Sequence, residues 1–137
     1  MDNLWPEDIF DNSIKIRPPV QILKEQASIF NERSKKIVVA EVVSVHITDA
    51  SKFGFMFKIK APALNNYSFS LFYVIHKIEL YPVSLTIDEE FYKGNGGELK
   101  KDSMASDEQE FNAILRDVFT SQKLKKIISA ILAQSQK

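Results

Sequence analysis

Apolar and polar residues alternate most clearly in the middle of the chain, between residues 53 and 61. A period of two is typical of a strand that turns one side to the core and the other to solvent. This segment therefore predicts a strand with an aromatic inner side. Its apolar series is Phe53, Phe55, Phe57, Ile59 and Ala61.

Two neighbouring runs, residues 37–47 and 67–78, carry valine, isoleucine and aromatic residues at both odd and even positions. Such runs are typical of strands covered on both faces, so each predicts a central strand. Residues 81–87 alternate again and predict a fourth strand. Because no glycine, asparagine or aspartate separates Ile78 from Tyr81, residues 67–88 also fit one long strand bent near Pro82.

Helical spacing flanks this region on both sides. After Pro18-Pro19, apolar residues from Ile22 to Phe30 form one stripe, which predicts a helix through about Glu32. Ser106, with Gln109 three residues later, forms a capping box that predicts the start of a second helix. Beyond it, two apolar stripes point in directions that differ by more than about 90°. We therefore expect a break near Thr120-Ser121, between stripes that consist of Phe111, Ile114, Leu115, Val118, Phe119 and of Leu124, Ile127, Ile128, Ile131, Leu132.

The order of these elements predicts an α+β fold: an antiparallel meander of three to four strands, preceded by one helix and followed by two C-terminal helices. A chain of 137 residues accommodates a single domain, residues 1–137. Residues 1–18 lack a sustained period and are expected to form an extended arm that packs through its apolar residues. Residues 93–106 are polar, contain Gly94, Gly96 and Gly97, and predict a flexible loop.

Composition narrows the classes of function. The absence of cysteine excludes disulfides, thiolate nucleophiles and zinc–thiolate sites. Eighteen basic residues balance eighteen acidic ones, so no global field attracts nucleic acid or anionic lipid. The N-terminus is acidic and interrupted by Pro6, unlike a signal peptide, and no run of about 18 apolar residues predicts a membrane span. We expect a cytoplasmic protein.

His46 and His76 both lie in predicted strands and, with Tyr73, are the candidates for the polar part of a pocket between sheet and helices. No third ligand stands at a metal-binding spacing, so ordinary sheet histidines are the simpler interpretation. The carboxylates at 88–90 are typical of a solvated strand end, and the glycine-rich segment lacks the phosphate-binding motifs. We assign no catalytic, cofactor-binding or metal-binding residue and expect no cofactor.

The segment from Lys52 to Phe57 resembles the aromatic strand of RNA-recognition and cold-shock folds, whose exposed rings stack on unpaired bases. The resemblance covers six residues, and the series continues as aliphatic core residues at Ile59 and Ala61. We do not expect nucleic acid as the partner, and single-stranded nucleic-acid binding remains an alternative.

The sequence contains more apolar strand positions than one layer of helices covers. If the helices lie on one face, residues of the second face would contact water: Val38, Ala40, Val42, Phe72 and Val74. Together with Trp5 and Phe10 of the arm, Phe72 and Val74 are the candidate partner-binding residues. We therefore predict a protein–protein interaction or assembly module that forms a homo-oligomer or binds another protein. An enzyme or small-ligand binder with a pocket between sheet and helices is the alternative.

Overall fold

The computed structural model describes residues 2–10, 16–89, 91 and 100–135. The expected class is confirmed, with one helix before the sheet and two after it, but the described residues form five strands, and the prediction of three to four is wrong. The elements in chain order are a 3-10 helix Glu7–Phe10, α1 Pro19–Arg33, β1 Val39–Val45, β2 Lys52–Ala61, a 3-10 turn Pro62–Leu64, β3 Tyr67–Lys77, β4 Val83–Ile87, β5 Asp102–Ala105, α2 Glu108–Phe119 and α3 Gln122–Ser135.

The strands form one antiparallel meander in the order β1-β2-β3-β4-β5. The additional strand, β5, lies within the segment predicted as a flexible loop and pairs with β4 from Val83–Ala105 to Thr86–Asp102. Four residues are too few to show a period, so backbone pairing with β4, not side-chain pattern, defines this strand. Residues 93–99 of the same segment lie outside the described residues.

β3 and β4 are separate strands that pair with each other, so the alternative of one long bent strand is wrong. The chain reverses between them although the usual turn residues are absent. Leu80 has a positive φ of 76°, its N–H donates to the Lys77 carbonyl oxygen at 2.9 Å, and the Tyr81–Pro82 peptide bond is cis.

One face of the sheet carries the core. Phe57 lies between Val42 of β1 and Phe72 of β3, and Leu85 lies opposite Val74. Val38, Ala40, Phe72 and Val74 are buried and Val42 is half-buried, so their placement on an uncovered face was wrong. They contribute to the core under the helices.

A β-bulge in β3 explains the error for Phe72 and Val74. Phe57 pairs with Phe72, but the next residue, Lys58, pairs with Ser70, which leaves Leu71 as an extra residue. Both Leu71 and Phe72 are buried. Because an extra residue inverts the odd–even pattern, the two halves of β3 use opposite parities for the core, and the strand appears apolar on both sides in sequence.

The outer face of the sheet mixes apolar and charged residues. Val43, Met56 and Tyr73 lie side by side across β1, β2 and β3, and Glu41 lies opposite Lys58. Tyr73 is 40% exposed and Met104, on β5, 66% exposed. Among the described residues, no helix is long and apolar enough to cross a membrane.

Local interactions set the ends of the C-terminal helices. The N-cap of α2 is Asp107, one residue after the predicted Ser106; its carboxylate accepts the Glu110 N–H at 2.8 Å, and the Glu110 carboxylate accepts the Ser106 N–H at 2.7 Å. The expected break is confirmed, since α2 ends at Phe119 and α3 begins at Gln122. At the break, the Thr120 hydroxyl donates to the Arg116 carbonyl oxygen at 2.7 Å.

Candidate functional site: a groove between the helices and an exposed arm

One wall of the candidate site is α1. Pro18 is extended, with φ −60° and ψ 146°, and Pro19 occupies the first turn, where a missing N–H costs nothing. Ile22 and Ala27 are buried under the helix, while Gln26 and Phe30 are half-buried along one edge. Ile22, Gln26 and Phe30 follow at intervals of four residues, so they line one side of α1.

The opposite wall is the junction of α2 and α3. Phe119, the last residue of α2, is half-buried, and Leu124 and Ile128 of α3 continue the wall beyond the break. The gap beside this wall is lined on its other side by Gln26 and Phe30, so it lies between α1 and the α2–α3 junction.

Aromatic and aliphatic residues of β2 and β3 form the floor of this gap. Phe57 stacks on Phe72 with 5.3 Å between ring centroids, and Phe119 tilts against Phe57 at the same centroid distance. Ile59 and Leu71 complete the floor. Because these side chains are already packed on one another, the floor is preformed in the single chain.

The gap is a pocket of about 500 Å³ that adjoins a second pocket of about 290 Å³ towards Arg17, and the two share Gln26, Phe119 and Thr120. We call the combined depression the α1–α2 groove. The larger volume lies within the roughly 300–1,000 Å³ of pockets that bury drug-sized ligands. It is open enough to receive side chains of a polypeptide.

Charge at the rim of the groove is positive. Arg17, Arg116 and Lys125 line it. Arg17 is paired with Glu25 and Glu108, whereas Arg116 and Lys125 form no ion pair with another described residue. Arg116 and Lys125 are exposed. They are therefore the cations of the rim that a negatively charged segment would meet.

The N-terminal arm is the most exposed apolar part of the described chain. Leu4 is 90% exposed, Phe10 80% and Trp5 64%, and Ile9 and Ile16 are exposed as well. In the single chain these side chains are exposed to solvent, so the surface on which the arm is expected to pack stays a prediction. Of the predicted partner-binding residues, Trp5 and Phe10 are thus at the surface, whereas Phe72 and Val74 lie in the core.

The arm is fixed to the body at Arg17. Its guanidinium bonds the Glu25 carboxylate and lies 3.1 Å from the Glu108 carboxylate, and its carbonyl oxygen accepts the Tyr81 hydroxyl at 3.0 Å. Burial, aided by the negative charge of Glu108, raises the pKa of Tyr81 to about 12. The hydroxyl therefore stays protonated and able to donate this bond well above neutral pH.

The structure does not bring the pocket candidates together. His46 is exposed just beyond β1, while His76 is buried in β3, with β2 running between them. Two strand spacings amount to about 10 Å, too far for a shared metal. Tyr73 lies on the outer face, and none of the three residues lines the α1–α2 groove.

His76 packs as part of the sheet. Its ring stacks on Phe53 and Phe55, with centroid distances of 5.7 and 6.0 Å, and its Nδ1 lies 2.7 Å from the Lys77 carbonyl oxygen. Nε2 is buried without a hydrogen-bond partner among the described residues. Those residues include no group of three potential metal ligands.

The aromatic residues of β2 do not form an exposed stacking platform. Phe57 is buried, Phe55 is half-buried and Phe53 is 40% exposed; Phe53 and Phe55 face the helix side of the sheet and pack on His76. The lysines of the strand, Lys58 and Lys60, lie on the opposite face. Aromatic and basic residues are therefore on different sides of β2, unlike a surface on which bases stack beside cations.

Comparison of the chain with protein-family models, with curated proteins and with solved structures finds no match in any of the three.

Proposed function

We propose that the protein is an interaction module that binds an apolar segment of a polypeptide in the α1–α2 groove. The observation that carries the proposal is the groove itself: a preformed apolar floor between two helical walls, with Arg116 and Lys125 at its rim. Apolar anchors that enter a pocket contribute most of the affinity in protein interfaces, and rim charges select the partner.

The side chains that line the groove suit binding better than catalysis. Its floor is aromatic and aliphatic, and its rim presents the amides of Gln26 and Gln122, the hydroxyl of Ser129 and the two cations. These groups orient a bound segment by hydrogen bonds and charge, whereas general acid–base catalysis uses histidine or a carboxylate with an adjusted pKa. We therefore favour the interaction module over the enzyme hypothesis.

Selection of random peptides on phage tests this proposal with the full chain. Peptides that bind the parent protein are expected to combine apolar residues with aspartate or glutamate, and to lose binding to Ile128→Glu, which places a charge in the groove. Ala133→Glu adds the same charge to an exposed position of α3 and is the control.

Selected peptides that bind parent and Ile128→Glu equally would contradict the proposal. A groove that binds apolar dyes but selects no peptide would instead support a small-molecule site. Lys125→Glu, at an exposed rim position, provides a second variant that leaves the core intact. It is expected to disfavour the acidic peptides in particular.

A further inference from the structure

We propose that the segment that occupies the α1–α2 groove is the N-terminal arm of a second copy of this chain, so that two copies exchange their arms. The inference rests on the proposed function and names the partner of the same groove.

Arm and groove are complementary in their chemistry. The described arm presents Leu4, Trp5, Ile9 and Phe10 to solvent beside the carboxylates of Asp2, Glu7 and Asp8. The groove offers an apolar floor with Arg116 and Lys125 at the rim. An acidic and apolar segment therefore matches the basic and apolar site in both respects.

The position of the arm brings it to the mouth of the groove. Arg17 is at once the residue that fixes the arm to the body and a residue that lines the smaller pocket of the groove. Six residue steps separate Phe10 from Ile16, which allows a reach of at most roughly 20 Å. We call Arg17 the root of the arm. The arm is therefore long enough to reach a groove whose mouth lies beside this root.

The root of the arm favours exchange over folding back. Two consecutive prolines restrict both Arg17 and Pro18 to extended conformations, and Arg17 is held by three partners. The chain leaves this root at Ile16, which is exposed, and the arm lies outside its own groove in the single chain. An arm that leaves an extended root and lies outside its own groove is available to a second copy, and the exchange of identical segments is a low-cost route to a dimer.

The exchange has a geometric consequence. A twofold arrangement that places the two roots next to each other lets each arm enter the other groove, and both interfaces are then identical. For Phe10 to reach the mouth of the partner's groove, the two Arg17 residues must lie within roughly 20 Å of each other.

Trp5 makes the proposal directly testable because it is the only tryptophan of the chain. We expect the fluorescence emission of Trp5 to move to longer wavelength when the parent protein is diluted from high micromolar to nanomolar concentration. Light scattering should show a change from dimer to monomer over the same range of concentration. Emission at short wavelength that does not depend on concentration would overturn exchange in favour of docking in the same chain. Emission at long wavelength at all concentrations would overturn docking altogether.

A mixing experiment identifies the groove as the acceptor. The Ile128→Glu chain keeps Trp5 but has a blocked groove, and the Trp5→Ala chain has an intact groove but no tryptophan signal. Each alone is expected to be monomeric, and mixing them is expected to shift the emission of the Ile128→Glu chain to shorter wavelength. An unchanged emission would show that the arm does not enter the groove of a second copy.

Two further variants test the same interface at exposed positions, where a substitution leaves the core side chains in place. Arg116→Glu and Lys125→Glu reverse the exposed rim charges and are expected to weaken the dimer about tenfold or more, whereas Ala133→Glu is not. If peptides selected on phage bind the groove while Trp5 stays exposed at every concentration, the proposed function stands and the exchange is wrong. If no peptide binds the groove but Trp5 becomes buried on dimerisation, the arm docks elsewhere.

Discussion

The side-chain amide of Asn31 in α1 pairs with both backbone polar groups of Ala40 in β1. Its Nδ2 donates to the Ala40 carbonyl oxygen at 3.0 Å, and its Oδ1 accepts the Ala40 N–H at 2.6 Å. Since β1 is the edge strand of the described sheet, these groups point away from β2. Asn31 therefore occupies the place that a residue of a further strand would take, and it blocks part of an edge that could pair with another chain.

Replacement of Asn31 by alanine is expected to lower the free energy of unfolding by about 1–3 kcal/mol, because two partly buried backbone groups lose their partner. Denaturation with urea measures the change, and aggregation at high concentration should increase. Gln21→Ala removes an exposed amide from the same helix and serves as the control. Equal stabilities of the two variants would contradict this account of Asn31.

Asp107→Ala is expected to destabilise the protein by about 1 kcal/mol, since the Glu110 N–H loses its capping carboxylate. Thermal unfolding followed by circular dichroism measures the loss. Asp117→Ala removes a carboxylate from the last turn of the same helix, where a negative charge opposes the helix dipole. It should not destabilise the protein, and a loss equal to that of Asp107→Ala would argue against capping.

Gly54 and Ile47 form a close contact at the end of the outer face. A Cβ at Gly54 would lie 2.7 Å from Ile47 Cδ1 and 2.9 Å from Cγ1. Gly54→Ala is therefore expected to cost about 1–3 kcal/mol through overpacking, and Ile47→Ala should remove most of this cost when the two are combined. A double-mutant cycle measures the coupling, and additive effects would show that the cost of a side chain at Gly54 does not come from contact with Ile47.

Tyr81 predicts a loss of stability in alkali. Its pKa, 10.0 in a model compound, is raised to about 12, mainly by burial and further by Glu108. The folded state thus binds this proton more tightly than the unfolded chain, and the stabilisation is complete below pH 10 and lost as pH rises towards 12.

Urea denaturation of the parent and of Tyr81→Phe, at one pH below 10 and one between 10 and 12, tests this prediction. The variant should lose less stability than the parent between the two conditions. In a titration followed by phenolate absorbance, it should lack the step at the highest pH, which belongs to Tyr81 in the parent. The same decrease in both proteins would show that Tyr81 does not contribute to the alkaline loss.

The periodic spacing of apolar residues predicted the strands and helices that are long enough to show a period. The alternation from Phe53 to Ala61 corresponds to β2, and the divergent stripes on either side of Thr120-Ser121 correspond to two helices. These predictions succeed because one-sided burial imposes a period on any element long enough to display it. β5 was missed because its four residues, Asp102–Ala105, are too few to display a period, and its pairing with β4 cannot be seen in the sequence.

The walls of the groove could have been found from sequence, whereas the complementarity to the arm on which the proposed exchange rests could not. Phe30, Phe119 and Ile128 all belong to predicted stripes, and two stripes that diverge imply a gap where they part. The assignment of Phe72 and Val74 to a partner surface failed because the extra residue in β3 leaves no trace in composition. The sequence could not show whether His46 and His76 lie close together, because the order of the strands in the sheet determines whether the two residues are neighbours.

The bulge at Leu71 marks the point at which β3 holds one residue more than a regular strand needs. Because Lys58 pairs with Ser70 and Phe57 with Phe72, loss of the Leu71 codon would bring these pairs into unbroken alternation, and Phe72, Val74 and His76 would keep their places on the core side. The loss would remove one buried leucine and the local irregularity of the strand. One triplet therefore separates the strand from a regular version with the same residues inside, and the gene can shorten here without turning the strand inside out.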